Sequence, residues 1–124
     1  MPDFLTPAWF TWINGRLATT TIDADIFING NAVRVVFALA GAPSSLPHAV
    51  TFSLTPVGVS VASGDHFLAD LLVTISFEDA RHIAEGTLEG AQALREGRLK
   101  VRGDVNALVP FGSWMVSAQN SLLT

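Results

Sequence analysis

The sequence of 124 residues contains no cysteine and no tyrosine. The absence of cysteine excludes disulfides, thiolate chemistry and cysteine-based zinc sites. The absence of tyrosine removes one of the side chains that an acid–base enzyme could use. Any chemistry must therefore rest on other residue types.

Charged side chains are also scarce, at 15% of the residues, whereas about 25% is typical of soluble domains. Hydrophobic residues make up 49%. The length fits one domain, residues 1–124, with a sizeable core. A chain of this composition has more hydrophobic surface than a small core readily buries. We expect a cavity or a partner to take up the excess, the alternative being a core that is simply large and apolar.

The charge balance and the chain ends exclude several classes of protein. A net charge of −4 lacks the basic face that nucleic-acid binding requires. The start of the chain has no basic and apolar signal sequence, and no run reaches the roughly 20 apolar residues of a spanning helix. The last residues are not a peroxisomal address. We expect a soluble cytosolic protein.

The clearest pattern of elements begins at Leu71. Apolar residues alternate with less apolar ones over residues 71–76, which predicts a strand with one buried face. Ser76 followed by Asp79 is close to a capping box, and apolar residues at helical spacing predict a helix to Glu85. Gly86 is suited to end this helix.

A second helix and a strand follow directly. Thr87 could cap a helix over residues 88–96, with Leu88, Ala91 and Leu94 on one face. Gly97 is suited to end it. In the next strand Leu99 and Val101 face one way, whereas Arg98, Lys100 and Arg102 face water. This basic run is most simply an exposed strand face, and the alternative is a transient contact with anionic lipid headgroups.

Two runs within this stretch, with Gly86 between them, form a recognisable pattern: Val73-Thr74-Ile75-Ser76 and Gly97-Arg98-Leu99-Lys100-Val101-Arg102-Gly103-Asp104. The second run opens on a glycine, alternates basic and aliphatic residues, and closes on a glycine and a polar residue before the last helix. The pattern resembles the sterol carrier protein family (type two), a lipid-binding α+β domain. The second half of the chain matches closely, and the first half matches in its order of elements. The resemblance implies a lipid held between sheet and helices.

The first half supplies one helix and three strands. Thr6-Pro7 is a favourable start for a helix that ends near Ala18. Residues 19–31 predict a short helix or an irregular link. Alternating apolar residues predict strands over residues 33–40, 50–55 and 59–61, joined by a loop and a proline turn. The first of these strands is apolar on both faces, which indicates cover on both sides.

These elements predict an α+β fold. The strands follow one another through short turns, so the five-stranded sheet should be largely antiparallel. The helices should pack on one face of the sheet, around an apolar cavity. After Asp104 an amphipathic helix is expected, with a kink or break at Pro110. The segment beyond the break could be a movable wall of the cavity or a static packing helix.

The three histidines suggest no catalytic or metal site. His82 has Glu78, Asp79 and Glu85 within about one helical turn, which is most simply a solvated helix face. There is no nucleophile elbow and no phosphate-binding loop. We expect no catalytic residue, no bound metal and no cofactor.

The first hypothesis is therefore a non-catalytic protein that binds a fatty acid, a fatty acyl conjugate or a sterol-like lipid by burying its apolar surface. The second is an interaction module or homodimer with a collapsed cavity. The third is a small enzyme acting on an apolar substrate. The residues expected to line the lipid cavity are Trp9, Phe10, Ile13, Leu17, Phe77, Ile83, Leu94, Leu108, Phe111, Trp114 and Met115.

Overall fold

A computed structural model of the chain describes residues 2–18, 33–55, 58–65 and 69–103. This part of the chain contains three helices and five strands. In chain order they are α1 (Pro7–Leu17), β1 (Val33–Ala40), β2 (Ala49–Thr55), β3 (Gly58–Ser63), β4 (Leu71–Ser76), α2 (Phe77–Glu85), α3 (Gly90–Arg95) and β5 (Leu99–Gly103).

The five strands form one sheet in the order β3-β2-β1-β4-β5. Three neighbouring pairs are antiparallel, and β1 and β4 are parallel. The parallel pair arises because β4 returns to the free side of β1 after the β2–β3 hairpin has been formed on its other side. The predicted α+β fold with a largely antiparallel five-stranded sheet is confirmed.

One face of the sheet forms the core. The register places Val35 between Phe52 on β2 and Leu71 on β4, and Val73 beside Val101 on β5. Since side chains alternate along each strand, these residues share one face. Helices α1 and α2 pack against it. The buried side chains that the helices and this face contribute to the core are Leu5, Trp9, Ile13, Leu17, Val33, Val35, Leu39, Val50, Leu54, Val59, Val61, Leu71, Val73 and Ile75.

The opposite face of the sheet is mixed. Leu72, Lys100 and Arg102 are exposed there, as the predicted basic strand face requires. Val36 is buried on this face, which agrees with the prediction that β1 is apolar on both sides.

Gly103 ends β5 at φ 124°, and a side chain there would collide with the Asp70 carbonyl of the neighbouring chain segment.

Helix α1 begins as its sequence predicts. The Thr6 hydroxyl accepts a hydrogen bond from the Trp9 backbone N–H at 3.3 Å, and Pro7 occupies the first helical position. The threonine satisfies one orphan donor of the first turn, and the proline, which has no N–H, removes another. The side chains at spacing four, Trp9, Ile13 and Leu17, are buried against the sheet.

A side-chain amide fixes α1 to the edge of the sheet. Asn14 Nδ2 donates to the Val61 carbonyl at 2.9 Å, and Asn14 Oδ1 accepts from the Val61 N–H at 2.8 Å. The amide therefore pairs with β3 as a neighbouring strand would. It fixes the position of α1 and occupies backbone groups that an edge strand leaves open.

Helix α2 agrees with the prediction, and α3 does not. The Ser76 hydroxyl accepts from the Asp79 N–H at 3.1 Å, and Gly86 ends α2 in the left-handed conformation at φ 84°. Helix α3 begins at Gly90 rather than Leu88, and its N-cap is Glu89, which makes no side-chain capping bond. The prediction that Thr87 caps this helix is wrong.

The reason lies in the end of α2. The Thr87 hydroxyl donates to the His82 carbonyl at 3.2 Å and lies 2.9 Å from His82 Nδ1. Thr87 therefore closes α2 instead of opening α3. The predicted apolar face is wrong at Leu94, which is 48% exposed, whereas Ala93 is buried within α3. Leu88 is buried, but it lies before the start of the helix.

Several predictions lie outside the described residues. They are the link over residues 19–31, the central residues 56 and 57 of the proline turn, and the helix after Asp104 with its break at Pro110. Among the helices that are described, none is long and apolar enough to cross a membrane.

Replacing Asn14 by alanine should lower the free energy of unfolding by about 1 to 2 kcal/mol, since two partly buried hydrogen bonds are lost. Urea denaturation measures this value. Thr11→Ala is the matched control, because the Thr11 hydroxyl is exposed and only donates back to the Pro7 carbonyl. Equal stability of N14A and T11A would contradict the role of the amide.

Candidate functional site

The centre of the helix-facing side of the sheet carries two phenylalanine rings, Phe37 on β1 and Phe52 on β2. Their ring centroids are 5.4 Å apart and their planes meet at 66°. Both rings are only partly buried. Other residues of these two strands on the same face are at most 4% exposed: Val35 and Leu39 on β1, and Val50 and Leu54 on β2.

This contrast marks an incompletely covered area in the middle of the core face. A large apolar side chain at the centre of a sheet is ordinarily covered, since burying it stabilises the fold by about 1.5 to 3 kcal/mol. Here smaller residues along the same strands are covered more completely than the two rings. Phe37 and Phe52 therefore form an apolar floor that an additional apolar group can contact.

A groove of about 760 Å³ lies near this floor, between the start of α1, the β1–β2 loop and the end of β3. Its volume is within the range of roughly 300 to 1,000 Å³ that is usual for small-molecule sites. The floor and the groove adjoin, because Val61 lines the groove and is the register partner of Phe52. The residues that line the groove are Leu5, Thr6, Pro7, Phe10, Ser45, Leu46, Pro47, Val61, Ala62 and Ser63.

The groove contains a strained residue. Leu5 has φ 67°, the left-handed region that residues other than glycine rarely adopt, and it is 1% exposed. This conformation costs about 1 to 2 kcal/mol. Burial of the leucine side chain offsets the cost, and the positions of Leu5 and Phe10 on either side of the Thr6 cap are those of a hydrophobic staple.

The predicted cavity residues occupy three kinds of position. Some are core residues, some are partly buried, and Leu94 is exposed. The core residues are Trp9, Ile13 and Leu17; those partly buried and packed against the core are Phe10, Phe77 and Ile83. Leu108, Phe111, Trp114 and Met115 lie outside the described residues.

The structure brings part of this set together. The ring centroids of Trp9 and Phe10 are 5.1 Å apart, with the rings edge to face. The Phe4 centroid is 5.0 Å from that of Trp9 and 5.6 Å from that of Phe77. An aromatic cluster therefore joins the first turn of α1 to the start of α2. Of the predicted residues that the structure describes, Phe10 alone also lines the groove.

Phe37 and Phe52 are not among the site residues predicted from the sequence. A signal for them was present, since both lie on the predicted apolar face of a strand and are far larger than the valines around them. The strand order was needed to show that β1 and β2 are central and adjacent.

The polar residues singled out in the sequence lie on the surface. Arg81 donates to Glu78 at 2.7 Å, and this hydrogen bond raises the pKa of the Arg81 guanidinium. His82 Nε2 is 4.0 Å from Glu78, and Arg98 pairs with Asp79 at 3.2 Å. Exposed pairs of this kind contribute little to stability. In the described ranges no three acidic or histidine side chains could hold a metal ion together.

Comparison of the chain with models of known families gives a match over most of its length. The model described as the SCP-2 sterol transfer family matches residues 16–114. The chain belongs to the SCP-2 sterol transfer family. Members of this family are lipid-binding and lipid-transfer domains, and the predicted resemblance is confirmed.

Solved structures agree with this assignment at the level of the fold. A crystal structure of sterol carrier protein 2 matches with a TM-score of 0.68 and 20% identity over 98% of both chains. A protein titled UbiJ-SCP2 ubiquinone synthesis protein matches with a TM-score of 0.61 and 16% identity over 97% of both chains. Identities this low support the common fold alone.

The same fold also occurs within a larger enzyme. The stereoselective inverting sec-alkylsulfatase Pisa1 from Pseudomonas sp. matches with a TM-score of 0.56 and 20% identity, over 89% of this chain and 16% of the sulfatase. A search of curated protein sequences found no match. The SCP-2 fold is thus found both alone and as a small part of a catalytic chain.

The strain at Leu5 can be tested by comparing two truncations. Leu5→Gly should be about 1 kcal/mol more stable than Leu5→Ala, because only glycine adopts φ 67° without cost. Leu17 is equally buried but lies in a helix. There Leu17→Ala should be about 1 kcal/mol more stable than Leu17→Gly. Chemical denaturation of the four variants measures both differences. The same order at both positions would contradict the strain.

Proposed function

We propose that this chain binds a single apolar lipid, such as a fatty acid, a fatty acyl conjugate or a sterol-like molecule, between its sheet and its helices and without chemical change. The observation that carries the proposal is the partial exposure of Phe37 and Phe52, whereas Val35, Leu39, Val50 and Leu54 on the same face of the same two strands are at most 4% exposed. A lipid tail over these rings would complete the cover of that face.

The energy for binding comes from burial of the lipid. Removing about 480 Å² of apolar surface from water yields about 12 kcal/mol at about 25 cal/mol per Å². Immobilising the lipid takes back several kcal/mol. A net value near −8 kcal/mol, which corresponds to a dissociation constant of about 1 μM, is what we expect for the best ligand.

The groove is proposed as the outer end of the same site. It adjoins the floor through Val61 and Phe52 and is lined mainly by apolar side chains, among them Phe10 and Leu46. A lipid longer than the floor would extend into this groove. Apart from the exposed Leu94, the cavity residues predicted from the sequence remain the proposed lining, with Phe37 and Phe52 added to them.

The relatives widen the range of ligands worth testing. One neighbour is titled a ubiquinone synthesis protein and another an alkylsulfatase, so isoprenoid and alkyl compounds belong beside sterols and fatty acids in a binding panel. Absence of catalysis is part of the proposal. Turnover of an alkyl ester, thioester or sulfate ester by the purified chain would contradict it.

Titration with a fluorescent fatty acid tests the site. Phe37→Ala and Phe52→Ala should each weaken binding about tenfold, because about 1.4 kcal/mol corresponds to roughly 55 Å² of lost apolar contact. Val36→Ala is the matched control, since Val36 is buried on the opposite face of the same strand. It should bind the ligand within twofold of the unaltered chain.

Thermal unfolding of the three variants separates binding from stability. Each loses buried apolar volume, so each should unfold at a lower temperature. Loss of affinity in V36A equal to that in F37A would show that affinity follows stability rather than contact, and would contradict the placement of the site.

Three further predictions do not depend on the floor formed by Phe37 and Phe52. A cytosolic location, a transient contact with a membrane surface and a homodimer remain predictions. Molar mass from light scattering distinguishes the main alternative, because an interaction module would form a tight dimer that contains no lipid extractable by solvent.

A further inference from the structure

The indole N–H of Trp9 is buried without an acceptor. Trp9 is 4% exposed, and Nε1 has no hydrogen-bond partner among the residues that the structure describes. Indole nitrogen is a donor only and cannot be satisfied in any other role. A buried donor that lacks its hydrogen bond costs about 1 to 3 kcal/mol, so this group requires an explanation.

The surroundings of Trp9 are apolar. Its ring meets Phe4 at 5.0 Å and Phe10 at 5.1 Å, both nearly perpendicular, and Ile13 and Leu17 continue its side of α1. Neither aromatic neighbour carries an oxygen or nitrogen atom in its side chain. Because Phe10 also lines the groove, Trp9 lies next to the proposed lipid site.

We propose that the Trp9 indole N–H donates a hydrogen bond to an oxygen atom of the bound lipid. The inference rests on the proposed function and specifies its ligand class, which is lipids with a carboxylate, ester carbonyl or hydroxyl oxygen in preference to hydrocarbons. Ligand pockets are generally apolar with a few polar groups that fix one end of the molecule. The oxygen-bearing end then lies beneath the first turn of α1, and the tail lies over Phe52 and Phe37.

Trp12 provides a matched comparison within the same helix. Its ring is only partly buried, and the Arg16 guanidinium lies 4.7 Å from its centroid. Trp12→Phe removes an indole N–H three residues from Trp9, on the same short helix. Trp9→Phe keeps an aromatic ring in the core while removing the proposed donor.

The experiment uses two ligands with the same fluorophore, 12-(1-pyrenyl)dodecanoic acid and the oxygen-free 1-dodecylpyrene. W9F should bind the acid about tenfold more weakly than the unaltered chain does, and the hydrocarbon within twofold. W12F should bind both within twofold. An equal loss for the two ligands in W9F, or no loss for the acid, would overturn the inference.

A measurement on the unaltered chain covers the case in which W9F does not fold. The sequence has three tryptophans, so a ¹⁵N-labelled sample gives three indole N–H signals, which Trp→Phe variants assign. The Trp9 indole proton should shift downfield with the acid, because it gains a hydrogen bond, and should shift less with the hydrocarbon. An unmoved Trp9 signal at saturation with the acid would overturn the inference and leave the proposed function standing. Failure of both ligands to bind would overturn the proposed function as well.

Discussion

The structure depends on the burial of one apolar face of a five-stranded sheet beneath its helices. The central strands β1, β2 and β4 contribute valine, leucine and isoleucine to this face, and α1 covers it with Trp9, Ile13 and Leu17. The Asn14 amide fixes α1 against the edge strand through two hydrogen bonds to Val61. Because the helix is held by its edge, the cover over the centre need not be complete, and Phe37 and Phe52 remain partly exposed there.

Membership of the SCP-2 sterol transfer family gives this incomplete cover a functional meaning. A floor of two aromatic rings, an adjoining groove of about 760 Å³ and one unsatisfied indole donor form the site that we propose for an amphiphile with a long apolar part. The same fold within a sulfatase occupies only 16% of that enzyme. The proposed role of this chain is to hold a lipid rather than to transform it.

Much of the fold could be predicted from local patterns. Alternation identified the strands, the caps at Thr6 and Ser76 identified helix starts, and Gly86 identified a helix end, because each of these signals acts within a few residues. Thr87 could not be assigned in the same way, since its hydroxyl can close one helix or open the next and the contact with His82 decides. The site was harder still, because the pairing of Phe37 and Phe52 depends on strand order, which local sequence does not encode.

The central claim is that the lipid lies on the helix-facing side of the sheet. Photo-crosslinking with a diazirine-bearing fatty acid, followed by mapping of the modified residues by mass spectrometry, tests it most directly. The account predicts that modification is concentrated on β1 and β2 around Phe37 and Phe52 and on the first turns of α1, and that excess unlabelled fatty acid suppresses it. Modification confined to the opposite face, around Leu72 and Lys100, would contradict the account.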